Sequence, residues 1–195
     1  KDNESAMEVI KSIQMYADVD VQILSGGVEE DVLIKIHSEE GVRFSIQGDC
    51  LTIESQGNGS RGEQQLPRHH RLSIKFVGVC GDGTLRIPSK LTNGKLCIKV
   101  FHTGGLDLSD DGNTIYKMIK ISNHGPGRIR GDGSITEAMK IENTGSGIIS
   151  GFLVEGRLAA VVGGSGQITI DKFSDCLYCI KKLPLTRGTI TFTRD

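Results

Sequence analysis

The densest run of usable side chains is Pro67-Arg68-His69-His70-Arg71. Two guanidiniums around two imidazoles suit a sulfated or carboxylated glycan, and more strongly below neutral pH as the histidines charge. A second set, Arg130-Gly131-Asp132 beside Gly133, is the tripeptide that integrins read when it sits on an exposed turn. Arg68, His69, His70, Arg71, Arg130 and Asp132 are therefore the candidate ligand contacts. Each has a plainer competing reading, a solvated strand entrance for the first four and a corner glycine flanked by charge for the last two.

Metal and cofactor chemistry finds less support. Cys176-Leu-Tyr-Cys179 has the spacing of half a zinc or redox site, but residues three apart on a strand point to opposite faces, and no second cysteine pair exists. The cysteines Cys50, Cys80, Cys97, Cys176 and Cys179 are odd in number, which fits packed, reduced thiols, and the five histidines are scattered. Gly163-Gly-Ser-Gly166-Gln167-Ile168 approaches a calcium nonapeptide repeat with Ile168 where an aspartate belongs. Asp107-Leu-Ser109-Asp-Asp111-Gly112 opens like an EF-hand loop with Met118 where the bidentate glutamate belongs. The glycines from Gly145 to Gly151 lead into more strand, whereas a nucleotide loop must open a helix whose N-terminus meets the pyrophosphate. No metal, cofactor or catalytic residue is assigned. One catalytic route stays open: acids and arginines from neighbouring coils could share a groove, and Glu137, Glu142, Glu155, Arg128, Arg130 and Arg157 lie on adjacent repeats.

What must position these residues is written in a repeat. A glycine followed two residues later by an aliphatic side chain recurs at Gly83 with Leu85, Gly104 with Leu106, Gly127 with Ile129, Gly147 with Ile149, Gly166 with Ile168 and Gly188 with Ile190. A period of about 20 residues fits one rung of a β-solenoid, and stacking at about 4.8 Å per rung makes a prism roughly 30 Å tall. The aliphatic partners should form one interior column, with the glycines allowing φ > 0 and close approach between rungs. Before the repeat, Val19-Asp-Val21-Gln-Ile23, Val32-Leu-Ile34-Lys-Ile36, Val42-Arg-Phe44-Ser-Ile46 and Leu51-Thr-Ile53 alternate strictly and are separated by turn residues. The expected class is all-β: an antiparallel β-meander and polar loop over 1–67, then a parallel β-solenoid over 68–195, packed as one continuous unit.

With 195 residues, 37% apolar, no Trp and 26 Gly, the chain has material for a β-rich core and little for a helical bundle. A net charge of −1 with signs mixed throughout leaves no electrostatic footprint for nucleic acid or an anionic membrane. The longest apolar stretch, 148–163, is shorter than a membrane span and carries Glu155 and Arg157. The chain starts at Lys1 rather than Met, which leads us to expect a leader removed or left out, and hence export.

The Gly-Ser-Gly-x-Ile corners at Gly145 and Gly164, together with Asp-Val-Gln-Ile at Asp20, resemble the head GIN or auto-transporter adhesin domain common in cell-envelope proteins of Bacteroidetes. The similarity spans roughly residues 9–193. It implies a β-meander joined to a β-solenoid (β-helix), secreted to the cell surface or periplasm, with an adhesive role. The chain departs from that family at the corner acid, where Arg128, Ile148 and Gln167 stand.

From this the chain is expected to be a non-enzymatic binding protein for a glycan or a protein. Its alternatives are a structural module that self-assembles by stacking its end rungs, with Arg187, Arg194 and Asp195 as charged guards against it, and a β-helical polysaccharide-active enzyme.

Overall fold

Every aliphatic residue that follows a corner glycine stacks on its counterpart in the next rung. The register runs Leu85 on Leu106, Leu106 on Ile129, Ile129 on Ile149, Ile149 on Ile168 and Ile168 on Ile190. The first five of these side chains are fully buried and Ile190, on the last rung, is half-buried. At about 1.5–3 kcal/mol for each buried isoleucine or leucine, this column is a main source of the coil's stability.

The computed structural model describes residues 7–109 and 114–193. The chain opens with β1 (Glu8–Met15) and β2 (Asp20–Ser25), followed by four short strands, β3 (Leu33–His37), β4 (Val42–Gln47), β5 (Cys50–Ser55) and β6 (Gly62–Gln65). Then come β7 (His70–Val79), β8 (Thr84–Pro88), a 3₁₀ turn at Ser89–Leu91, β9 (Thr92–Val100), β10 (Gly105–Ser109) and β11 (Ile115–Asn123). Two long strands, β12 (Ile129–Asn143) and β13 (Ile148–Val162), precede β14 (Gln167–Lys172), β15 (Leu177–Lys182) and β16 (Thr189–Phe192). Together they form a β-solenoid of about 5 turns with rungs near 21 residues.

Two ladders run along the coil. One stacks β2, β8, β10, the start of β12, the start of β13, β14 and β16. The other stacks β5, β1, β7, β9, β11 and the ends of β12 and β13, and finishes with β15. It buries its own column, Leu51, Ile13, Val77, Ile98, Ile121, Ile141 and Ala160. In β12 and β13 the register shifts where the chain bends between ladders, at Asp132 (φ 52°), Gly133 (φ 83°) and Gly151 (φ 84°).

The corner glycines are needed for closeness rather than for unusual φ. None of Gly83, Gly104, Gly127, Gly147, Gly166 and Gly188 lies in the left-handed region. A Cβ on Gly147 would instead lie against the carbonyl oxygen of Gly127, and one on Gly166 against that of Gly147. Two buried asparagines close the same corners: Asn123 Nδ2 donates to Gly127 O at 3.2 Å, and Asn143 Nδ2 donates to Gly147 O at 3.2 Å. They stack in register, in a column otherwise filled by Met15, Val79, Val100 and Val162.

The expected N-terminal antiparallel strands are present, but not every strand before residue 67 belongs to them. The pairs β2–β3, β3–β6 and β4–β5 are antiparallel. But β1 lies parallel between β5 and β7, and β2 lies parallel to β8, so these two strands make the coil's first rung. Alternation tells which face a side chain takes and not which neighbour its strand chooses. The first rung also lacks the glycine signature, turning its corner with Ala17-Asp18-Val19. A Cβ on Gly81 or Gly83 would point back at the carbonyls of Ala17 and Val19, so the residues that must be glycine are those with a rung before them.

Candidate functional site

The outward neighbours of the aliphatic column form a polar strip. Gln22, Arg86, Asp107, Arg130 and Ser150 occupy one register position on successive rungs, each one residue beyond an interior aliphatic. Alternation forces them outward, and the rung spacing of about 4.8 Å places opposite charges side by side. Arg130 Nε lies 4.0 Å from Asp107 Oδ1, with the arginine side chain half exposed and the aspartate about a third exposed, so the pair contributes little to stability.

Two clefts open along this strip. One of about 250 Å³ is lined by Arg86, Asp107, Arg130, Asp132 and Ser150, together with Leu108 and Gly151. The next, about 310 Å³, shares Arg86 and Asp107 and adds Asp20, Gln22, His37 and Thr84. The second is braced by Asp20 Oδ1 accepting from the Thr84 N–H at 2.9 Å and by His37 Nε2 within 2.9 Å of Gln22 Oε1. The two form one groove along the coil axis, with arginines that can fork onto a carboxylate or sulfate and acceptors for hydroxyls.

The six expected contacts divide between two places. Arg130 and Asp132 line the groove, with Gly131 between them buried beneath Phe152, whose ring a Cβ would strike at 2.6 Å. The tripeptide thus sits at a bend between two strand segments rather than on a free loop. Arg68 and His69 form a turn in which Arg68 is exposed and His69 half-buried, His70 opens β7 and is buried, and Arg71 is half-buried. Neither cleft of the groove is lined by any of these four.

His70 faces inward onto Glu8, with Nε2 3.0 Å from Glu8 Oε2, and His69 Nε2 lies 3.9 Å from the same oxygen. Glu8 carries no local signal in the sequence; the parallel pairing of β1 with β7 sets it opposite His70. Arg86 belongs to no motif, and Asp107 stands out in the sequence only as the start of an EF-hand-like run. Only the register places them beside Arg130.

Glu137, Glu142 and Glu155 line neither cleft of the groove. Of the acidic turn after Asp107, residues 110–113 lie outside the described residues, as do Arg194 and Asp195. All five cysteines are free thiols. Burial pushes the Cys80 thiol pKa up, and burial with a smaller contribution from Asp175 does the same at Cys176 against the pull of Lys172. No helix among the described residues is long and apolar enough to cross a membrane.

No family model matches the chain, and no curated protein matches it. Among solved structures it is similar to a "putative adhesin" from Bacteroides fragilis NCTC 9343, at 15% identity over 97% of this chain and 94% of that one, with a TM-score of 0.63. A "putative adhesin" from Parabacteroides merdae ATCC 43184 aligns at 15% identity over 96% and 93% of the two chains, with a TM-score of 0.41. The likeness to the first is one of fold: the two share the path of the backbone along almost their whole lengths.

Proposed function

We propose that this chain is a non-enzymatic, adhesin-like binding protein of the bacterial cell surface or periplasm, akin to the head GIN domains, whose polar groove takes an anionic glycan. The observation that carries this is the in-register strip Gln22, Arg86, Asp107, Arg130 and Ser150, which lines two adjoining clefts along the coil. Arg86 and Arg130 stand two rungs apart, roughly 10 Å, with Asp107 between them, so acidic units of a linear polymer can meet the arginines while its hydroxyls donate to Asp20, Asp107 and Asp132. Each cleft is at or below the small end of the roughly 300–1,000 Å³ range of small-molecule pockets, which suits one unit of a longer chain. Among the described residues no aromatic ring other than His37 lines the groove, so recognition falls to the arginines rather than to stacking on sugar faces. The likeness in fold to a Bacteroides protein named as a putative adhesin is consistent with this reading.

The test is a glycan array at neutral and mildly acidic pH. Selective capture of uronate-bearing or sulfated glycans is the expected result. Silence at both pH values would remove the glycan and leave a protein ligand.

A second reading, self-assembly through the end rungs, has one observation in its favour. Among the described residues β15 pairs only with β13 and β16 only with β14, and Leu177 and Tyr178 on β15 are 71% and 56% exposed. An uncovered strand edge with apolar side chains is a template for another chain. Light scattering across a concentration series tests it: a mass that stays at 21.1 kDa counts against assembly.

A further inference from the structure

The cluster at the other end of the coil calls for a cation. Glu8 Oε2, His69 Nε2 and His70 Nε2 are brought together, with one ligand atom from each of the three residues and all of them within 4.8 Å of one another. Adjacent residues on a strand point to opposite faces, so two neighbouring imidazoles converge only because His69 belongs to the turn before β7. The backbone fixes the third member: the Glu8 N–H donates to His69 O at 2.7 Å, and the ladder sets Glu8 opposite His70.

The orientation of His70 makes the demand specific. Its Nδ1 lies 3.2 Å from Pro67 O, an oxygen that can only accept, so Nδ1 carries a hydrogen. A neutral His70 then turns the lone pair of Nε2 toward Glu8 Oε2, 3.0 Å away and itself an acceptor when ionised. Two acceptors facing each other on a buried ring need something positive between or on them. A proton on Nε2 meets that need with one partner. A metal ion meets it with all three, and an imidazole whose other nitrogen donates to a backbone carbonyl is the usual arrangement of a metal-bound histidine.

We propose that Glu8, His69 and His70 form a binding site for a divalent cation of the zinc class. The donor set of two imidazoles and one carboxylate suits zinc and its transition-metal neighbours rather than calcium or magnesium, which take oxygen cages. With bonds near 2.0–2.2 Å at tetrahedral angles, ligand atoms lie roughly 3.4 Å apart. The distances of 3.0 and 3.9 Å from Glu8 bracket that value, while the rings of His69 and His70, with centroids 4.0 Å apart and planes tilted by 40°, must turn apart to aim both Nε2 atoms at one ion. Three protein ligands leave a fourth position open. Glu8 and His70 also line a cleft of about 460 Å³ walled by Phe44, Ile46, Leu66 and Pro67, from which water or an anionic group of a ligand can reach that position.

The test is a titration of Co²⁺ into the tag-free chain, followed by visible absorption, with Zn²⁺ as competitor and in parallel melting experiments. The expected result is one Co²⁺ per chain with visible d–d bands and no near-ultraviolet thiolate band, displaced by Zn²⁺, and a rise in melting temperature with Zn²⁺. Glu8→Gln and His69→Ala should each weaken binding about tenfold or more, with His102→Ala unchanged as the control. The side chains of Glu8 and His69 are 59% and 42% exposed, so both variants should keep the wild-type circular dichroism. No binding, a thiolate band, or equal affinity in these folded variants would overturn the site and leave a proton as the partner of Glu8.

Discussion

The middle of the coil and its ends obey different rules. In the middle, the neighbour of each residue is its own counterpart one rung away, so Ile129, Ile149 and Ile168 solve one packing problem three times. At the ends there is no counterpart. The N-terminal end recruits β5 and the antiparallel strands to cover β1 and β2, whereas the C-terminal end leaves β15 and β16 each with one partner. Stacking of like on like builds the scaffold. The two proposed binding sites lie on the outward strip and at the N-terminal end, where the repeat does not dictate the residue type.

The largest effects should come from breaking the middle. Ile149→Asp would put an unpaired charge into a fully buried column, and Gly147→Ala would drive a Cβ into the Gly127 carbonyl. Each should cost about 4 kcal/mol or more, read as loss of the cooperative unfolding transition in urea. Ile190→Asp makes the same chemical change at the half-buried last rung, where the charge can reach water. It should cost only about 1–2 kcal/mol. Equal penalties at 149 and 190 would erase the distinction between middle and end.

Asn143→Ala sharpens the comparison within the corners. It removes the donor to Gly147 O and should cost about 1–2 kcal/mol in thermal or chemical denaturation, less than either change in the middle. The smallest effect concerns thiols rather than stability. A pKa pushed up by burial means less thiolate at a given pH, so Cys80 and Cys176 should react with a maleimide about tenfold more slowly than exposed Cys179 at mildly alkaline pH. Mass spectrometry of the time course would check the order.

The legibility of the sequence follows the same division. The six aliphatics after corner glycines are an interior column because stacking demands repetition, and repetition is visible in one dimension. The partners of β1 and β2 are not visible, since alternation in Val21-Gln-Ile23 is the same whether its neighbour runs parallel or antiparallel. Arg130 and Asp132 could be named from the sequence, but Arg86 and Asp107 join them only through the register. The cationic run from Arg68 to Arg71 hid an inward turn: its second histidine is buried against Glu8, a partner far away in the chain.

The central claim, that the outward strip is a binding groove, is tested most directly by titrating an acidic oligosaccharide captured on the array against the wild-type chain and the Arg86→Ala/Arg130→Ala double variant. Both arginines are exposed, so the variant should fold and melt as the wild type does. The groove predicts a loss of affinity of about tenfold or more in the double variant and none in Arg187→Ala, a charge change of the same sign elsewhere on the coil. Binding that is unchanged in the double variant, or weakened equally by Arg187→Ala, would contradict it.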